Sequence, residues 1–220
     1  MKALRNITLG LGLLAAPILP AAAAPITGSI DISGLFRGED AAGTNVRLND
    51  AVGIDFCGNV SGTCVESAGA PGTGTGTFLL NQSSISGLPF MMGDTGTIKD
   101  IADFRTFSGP IANFLSVNGL TMDLETLTGT SFAVPGGIPG SPGTDYLFLN
   151  GTGTLKLAGY DDTPGTFTFS GQSDGISLLG TFSFSGGAAA IPVNVPVPAG
   201  LALFGAGLLG LTLVRRRNAA

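Results

Sequence analysis

An antiparallel β-sandwich is the fold class this sequence predicts for its central part, with a helix at each terminus. Three observations carry the expectation. Apolar side chains recur with a period of two, turn-forming residues interrupt them at short intervals, and no long helix-period pattern lies between the two ends. Composition agrees: 36 glycines, no tryptophan and only 11% charged residues suit many strands joined by tight turns.

The first element is helical. Lys2 and Arg5 precede an apolar stretch from Ile7 to Ala16, and small residues follow as far as Ala24. That is the layout of a secretory signal peptide with an A-x-A site for signal peptidase. Pro25 disfavours cleavage directly before it, so the bond after Ala22 or Ala23 is expected, and residues 1–23 are assigned to the signal.

The β-rich ectodomain spans 24–186. Ile26, Ile30 and Ile32 share one parity with Gly28, as do Val52, Ile54 and Phe56, and Leu120, Met122 and Leu124. Phe167 and Phe169 repeat the pattern, and so do Phe182 and Phe184. Each set predicts a strand with one buried and one wet face. Stretches such as GAPGTGTG, FAVPGGIPGSPGTD and YDDTPGT separate the strands. Roughly ten to twelve strands result, and two facing sheets would bury their inner sides. The near-repeat GTFTFSG (165–171) and GTFSFSG (180–186) predicts two antiparallel neighbours, with a turn in GQSDG. A β-solenoid would require a fixed period over several coils, which one pair does not supply. Residues 187–194 are Pro- and Ala-rich and uncharged, so they read as an extended linker.

Charge narrows the partners. Every acidic residue lies between Asp31 and Asp174, whereas Lys2, Arg5 and Arg215 to Arg217 belong to the termini. The ectodomain is therefore strongly acidic, which argues against nucleic acid and anionic membrane surfaces. Cys57 and Cys64 are the only cysteines, with six residues between them across a Gly-containing turn. In an oxidising compartment they are expected to close a small disulfide loop; two separate thiols are the alternative.

A search for chemistry nominates no catalytic residue. The chain has no histidine, so neither a Ser-His-Asp nor a Cys-His arrangement can form within it. Carboxylate pairs could serve glycoside hydrolysis, but sugar sites favour aromatic platforms, and the phenylalanines read as core. Two thiolates without histidine do not complete a zinc site, and no metal or other cofactor is expected. Glu39-Asp40 and Asp161-Asp162 sit in turns suited to calcium, yet no EF-hand spacing accompanies them, so hydrated turns are the simpler reading.

Residues 195–217 read VPVPAGLALFGAGLLGLTLVRRR. Ala199 to Val214 carries no charge and only one polar residue, Thr212. As a helix it spans roughly 24 Å, a short transmembrane segment. Arg215, Arg216 and Arg217 then act as a basic stop that holds the tail on the cytoplasmic side. This order of motif, span and arginines resembles the PEP-CTERM class of sorting signals on exported proteins of Gram-negative bacteria, more closely its VPLPA-type variant. Val195, Pro196, Val197, Pro198 and Ala199 match that variant with Val197 in place of Leu, and the glutamate of the Pro-Glu-Pro form is absent.

The resemblance implies recognition by an exosortase at Val195 to Ala199 and transient inner-membrane anchoring. The destination it implies is the cell surface or extracellular matrix, often beside exopolysaccharide. The stretches GTIKD (96–100), FLSVNGLTMDL (114–124) and GTGTLKLAGYDDTPGTFTFSG (151–171) are similar to a Gly-, Thr- and Phe-rich β domain on such proteins, which has no assigned activity. The expectation is a non-enzymatic surface or matrix protein; the alternatives are a secreted polysaccharide- or calcium-binding module and a secreted hydrolase.

Overall fold

The computed structural model describes residues 23–58, 72–85, 91–136, 143–176 and 178–188. Among these residues every regular element is a strand. The first six are β1 (Ala24–Pro25), β2 (Gly28–Glu39), β3 (Asn45–Val46), β4 (Gly53–Phe56), β5 (Thr75–Ser83) and β6 (Thr95–Lys99). The rest are β7 (Ile111–Val117), β8 (Leu120–Val134), β9 (Thr144–Lys156), β10 (Tyr160–Asp161), β11 (Thr163–Ser173) and β12 (Leu179–Ala188). The last strand thus runs through Gly187 and Ala188. The signal peptide up to residue 22, the linker from residue 189, the apolar run and the arginines lie outside the described residues.

Each long strand pairs antiparallel with the next in the chain, giving the path β2–β5–β6–β7–β8–β9–β11–β12. The path then shuts, because β12 pairs with β2 from Leu179↔Arg37 to Ala188↔Gly28. The antiparallel all-β expectation holds for the described residues, but their arrangement is not clearly a sandwich. One sheet closes on itself into a barrel-like ring of eight strands, a number whose interior side chains can just fill. Period-two alternation is the same in both architectures. The difference is one pairing between strands at opposite ends of the body, which no local pattern reveals.

Local chemistry accounts for the hairpins. Asn118 and Gly119 join β7 to β8 with φ of 48° and 86°. Positive φ at both central residues is what a type I′ turn requires, and Asn-Gly meets it at low cost. The expected inward sets Ile26/Ile30/Ile32, Leu120/Met122/Leu124, Phe167/Phe169 and Phe182/Phe184 are all buried. β4 departs from its expected wet face: Gly53, Ile54, Asp55 and Phe56 are all buried. The cause is the following segment, where Ile101 bridges Ile54 and the Phe104 amide donates to the Val52 carbonyl, covering the second side.

The interior is phenylalanine set against glycine. In β11 the inward residues are Gly165, Phe167, Phe169 and Gly171; in β12 they are Gly180, Phe182, Phe184 and Gly186. Their register places Gly171 beside Phe182 and Phe167 beside Gly186. Phe167 stacks on Phe184 at 4.9 Å and Phe169 on Phe182 at 5.1 Å, while Phe36 and Phe56 meet that layer edge-on. A methyl group at Gly171 would come within 2.5 Å of the Phe36 ring, and one at Gly151 within 2.4 Å of Phe167. Glycine is there because the rings occupy the space a side chain would take.

Both ends are covered. At the Glu39 end, Leu48, Ala51, Ile101 and Phe104 are buried over the core. Arg105 ties this cover down, donating to the carbonyls of Ala51 and Asn49, both at 2.7 Å, and to Ser131 Oγ at 3.1 Å. At the Gly28 end, Ile26 is fully buried and its amide donates to Thr163 Oγ1 at 2.8 Å. A gap of about 10 Å³ remains among Ile30, Leu115, Met122, Leu155 and Phe184. Its lining is apolar, so it does not favour a water.

Candidate functional site

With the interior filled, the outward side chains are what the described body offers to a partner. On β8, β9, β11 and β12 they align in three cross-strand rows, set by the strand registers. The first row is Phe132, Tyr146, Gln172 and Thr181. The second is Thr130, Phe148, Ser170 and Ser183, and the third Thr128, Asn150, Thr168 and Ser185.

Three rings stand together at one side of these rows. Phe132 lies 5.4 Å from Tyr146 at an interplanar angle of 24° and 5.9 Å from Phe148 at 17°. Phe132 and Phe148 are each 43% exposed. The neighbouring Leu147 and Leu149 fill the inside of β9, so Tyr146 and Phe148 have no core position available. Beside the rings lies a depression of about 390 Å³, floored by Ser170, Gln172, Thr181 and Ser183. Depressions of about 330 Å³ continue it in both directions along the strands, one toward Thr144 and Asp174 and the other toward Asn150 and Ser185. Because adjacent depressions share residues, they form one trough. From Thr144 to Asn150 it runs about 20 Å.

No charged residue belongs to the three rows. Asp174 and Asp31 border them, and Asp123 and Lys156 form an ion pair at 2.7 Å toward the far end of β8 and β9. The Asn113 amide, followed by Lys156, holds the Asp123 carboxyl below its ordinary range. Asp145 turns inward and is fully buried; Arg47 grips it with Nε at 3.0 Å and Nη2 at 2.6 Å. The middle of the trough is therefore polar without being ionic, and Asp174 is the carboxylate at its Thr144 end.

A separate acidic group lies at the covered end. Asp100 is buried, accepts the Phe56 amide proton at 2.9 Å and has Asp55 and Glu39 nearby. Burial, reinforced by those two carboxyls, pushes its pKa up to about 7. Asp55 and Asp100 are only 3% and 4% exposed, which closes them to a substrate. No cluster of three or more acidic or sulfur side chains suited to a metal occurs among the described residues. Of the turn acids considered for calcium, Asp40 accepts the amide protons of Ala42 and Thr44, holding its own turn. Asp161 and Asp162 are exposed, and Asp161 pairs with Pro25.

Of the residues singled out from sequence, Cys57 is fully buried just after β4, and Cys64 lies outside the described residues. Val195, Pro196, Val197, Pro198 and Ala199 also lie outside them, as do Arg215, Arg216 and Arg217. The aromatic ridge is what the sequence reading missed, since it placed the phenylalanines in the core. A signal was present: in DYLFLN both parities are apolar, more than one buried face requires. Comparison with known proteins returns no matching family model, no similar curated protein and no similar solved structure. The PEP-CTERM resemblance thus rests on the residues that carry it.

Proposed function

We propose that this chain is an exported, non-enzymatic protein of the cell surface or extracellular matrix, sorted by an exosortase and associated with exopolysaccharide. The observation that carries the reading is the order of Val195–Ala199, the apolar run to Val214 and Arg215 to Arg217. A signal peptide at one end and a basic stop at the other put the body outside and the tail end inside. The body suits display: its interior is packed with phenylalanine, and its outer face carries the polar trough and the ridge. The exposed ridge also favours a second reading, a polysaccharide-binding module.

The tail reading differs from simple anchoring in one measurable respect. Replacing Pro196 and Pro198 with Ala leaves the span, its length and the arginines unchanged. If an exosortase reads the extended Val-Pro-Val-Pro segment, the variant keeps its C-terminus and accumulates in the inner membrane, whereas the parent protein at the surface lacks Arg215 to Arg217. Mass spectrometry of both C-termini decides it. Intact arginines on most of the surface-located parent protein would refute processing.

A further inference from the structure

We infer that the trough beside Phe132, Tyr146 and Phe148 is a binding site for an uncharged polysaccharide chain lying along the strands. Four observations converge. The rings are near-parallel, and Phe132 and Phe148 are half-exposed, offering apolar faces of the kind against which the C–H faces of sugar rings pack. The floor supplies hydroxyls and amides, namely Ser170, Gln172, Thr181, Ser183 and Asn150, which both donate and accept as sugar hydroxyls do. The trough is elongated, and its depression of about 390 Å³ falls within the volume range of sites for small organic groups, so a polymer segment fits better than a single compact ligand.

Charge is the fourth. The three rows hold no ionic group, while Asp31 and Asp174 border them on an acidic body. An anionic polymer is repelled, and a cationic one finds no carboxylate within the rows and only Asp174 and Asp31 at their borders. A lipid surface is disfavoured by the same acidity and by the hydroxyl floor. The inference rests on the surface-protein reading only for the source of the polymer, since the matrix around such a protein is where the chain would be met.

The test uses the full-length protein in a detergent without a sugar headgroup. Biolayer interferometry is run against immobilised dextran, laminarin, galactomannan and, as the anionic comparison, alginate. The expected result is binding to at least one of the three neutral polymers, unchanged at 0.5 M salt within about twofold because no ion pairs are involved. Phe132→Ala and Phe148→Ala should each weaken it about tenfold or more, because each removes one stacking face. Met92→Ala, a very exposed apolar position away from the trough, should leave it unchanged. Both phenylalanines point outward, so unchanged thermal melting would establish that the variants are folded.

Failure of all three neutral polymers to bind, or binding indifferent to both substitutions, overturns the assignment. So does binding to alginate alone. Self-association of the protein that Phe132→Ala abolishes would make a second copy the occupant and equally overturn it. These outcomes are separate from the C-terminal mass measurement: processed protein without binding removes the site, and binding by unprocessed protein removes only the sorting reading.

Discussion

At Asp100 a buried carboxyl accepts the Phe56 amide proton beside two other acids, and its pKa is raised to about 7. Between about pH 4 and pH 7 the folded protein holds a proton that the unfolded chain has released, so stability falls as pH rises through that window. Asp100→Asn mimics the protonated form and still accepts the amide proton. We expect it to flatten the fall, gaining about 1–2 kcal/mol at pH 8 after allowance for solvent screening, and to change little at pH 4. Urea denaturation at the two pH values checks this, and equal stabilisation at both would refute it. Asp100 was not legible in the sequence, because its burial depends on β4 being covered by the segment that carries Ile101 and Phe104. Tyr146 and Phe148 were half legible: DYLFLN is apolar on both parities, and which of the two faced inward could not be read from it.

The paired elements β11 and β12 show why GTF(T/S)FSG occurs twice. Each strand delivers Gly, Phe, Phe, Gly to the interior and Thr or Ser to the outside, and the antiparallel register sets ring against glycine. Gly171→Ala places a methyl against the Phe36 ring, so we expect a loss of about 1–3 kcal/mol. The neighbouring outward change Thr168→Ala should stay within about 0.5 kcal/mol. Denaturant midpoints compare the two, and similar losses at both sites would contradict the packing argument. These strands were legible almost residue by residue, since repeat, parity and turn all agreed. β4 was legible as a strand but not as one buried on both faces, because its second cover comes from residues about fifty positions later.

For the whole molecule, the β12–β2 pairing decides between a closed ring and an open sandwich. Deleting Leu179–Ala188 from a sandwich would remove an edge strand and leave a foldable remainder. In the ring it opens both β2 and β11 and uncovers Phe36 and Phe169 together. We expect the deletion to abolish cooperative thermal unfolding and to promote aggregation; a cooperative melt within a few degrees of the intact protein would refute closure. The all-β class was legible because alternation is local, and closure was not because it joins the first and last long strands. That same pairing brings Ala188 beside Gly28, so the chain enters and leaves at one end, while Tyr146 and its trough lie toward the other. A pull between the outgoing chain and a polymer held in the trough would run along β12. The strand is flanked over nearly its whole length by β2 and β11. Such tension loads both hydrogen-bond ladders in shear, all rungs at once, and a tether built this way resists being unzipped.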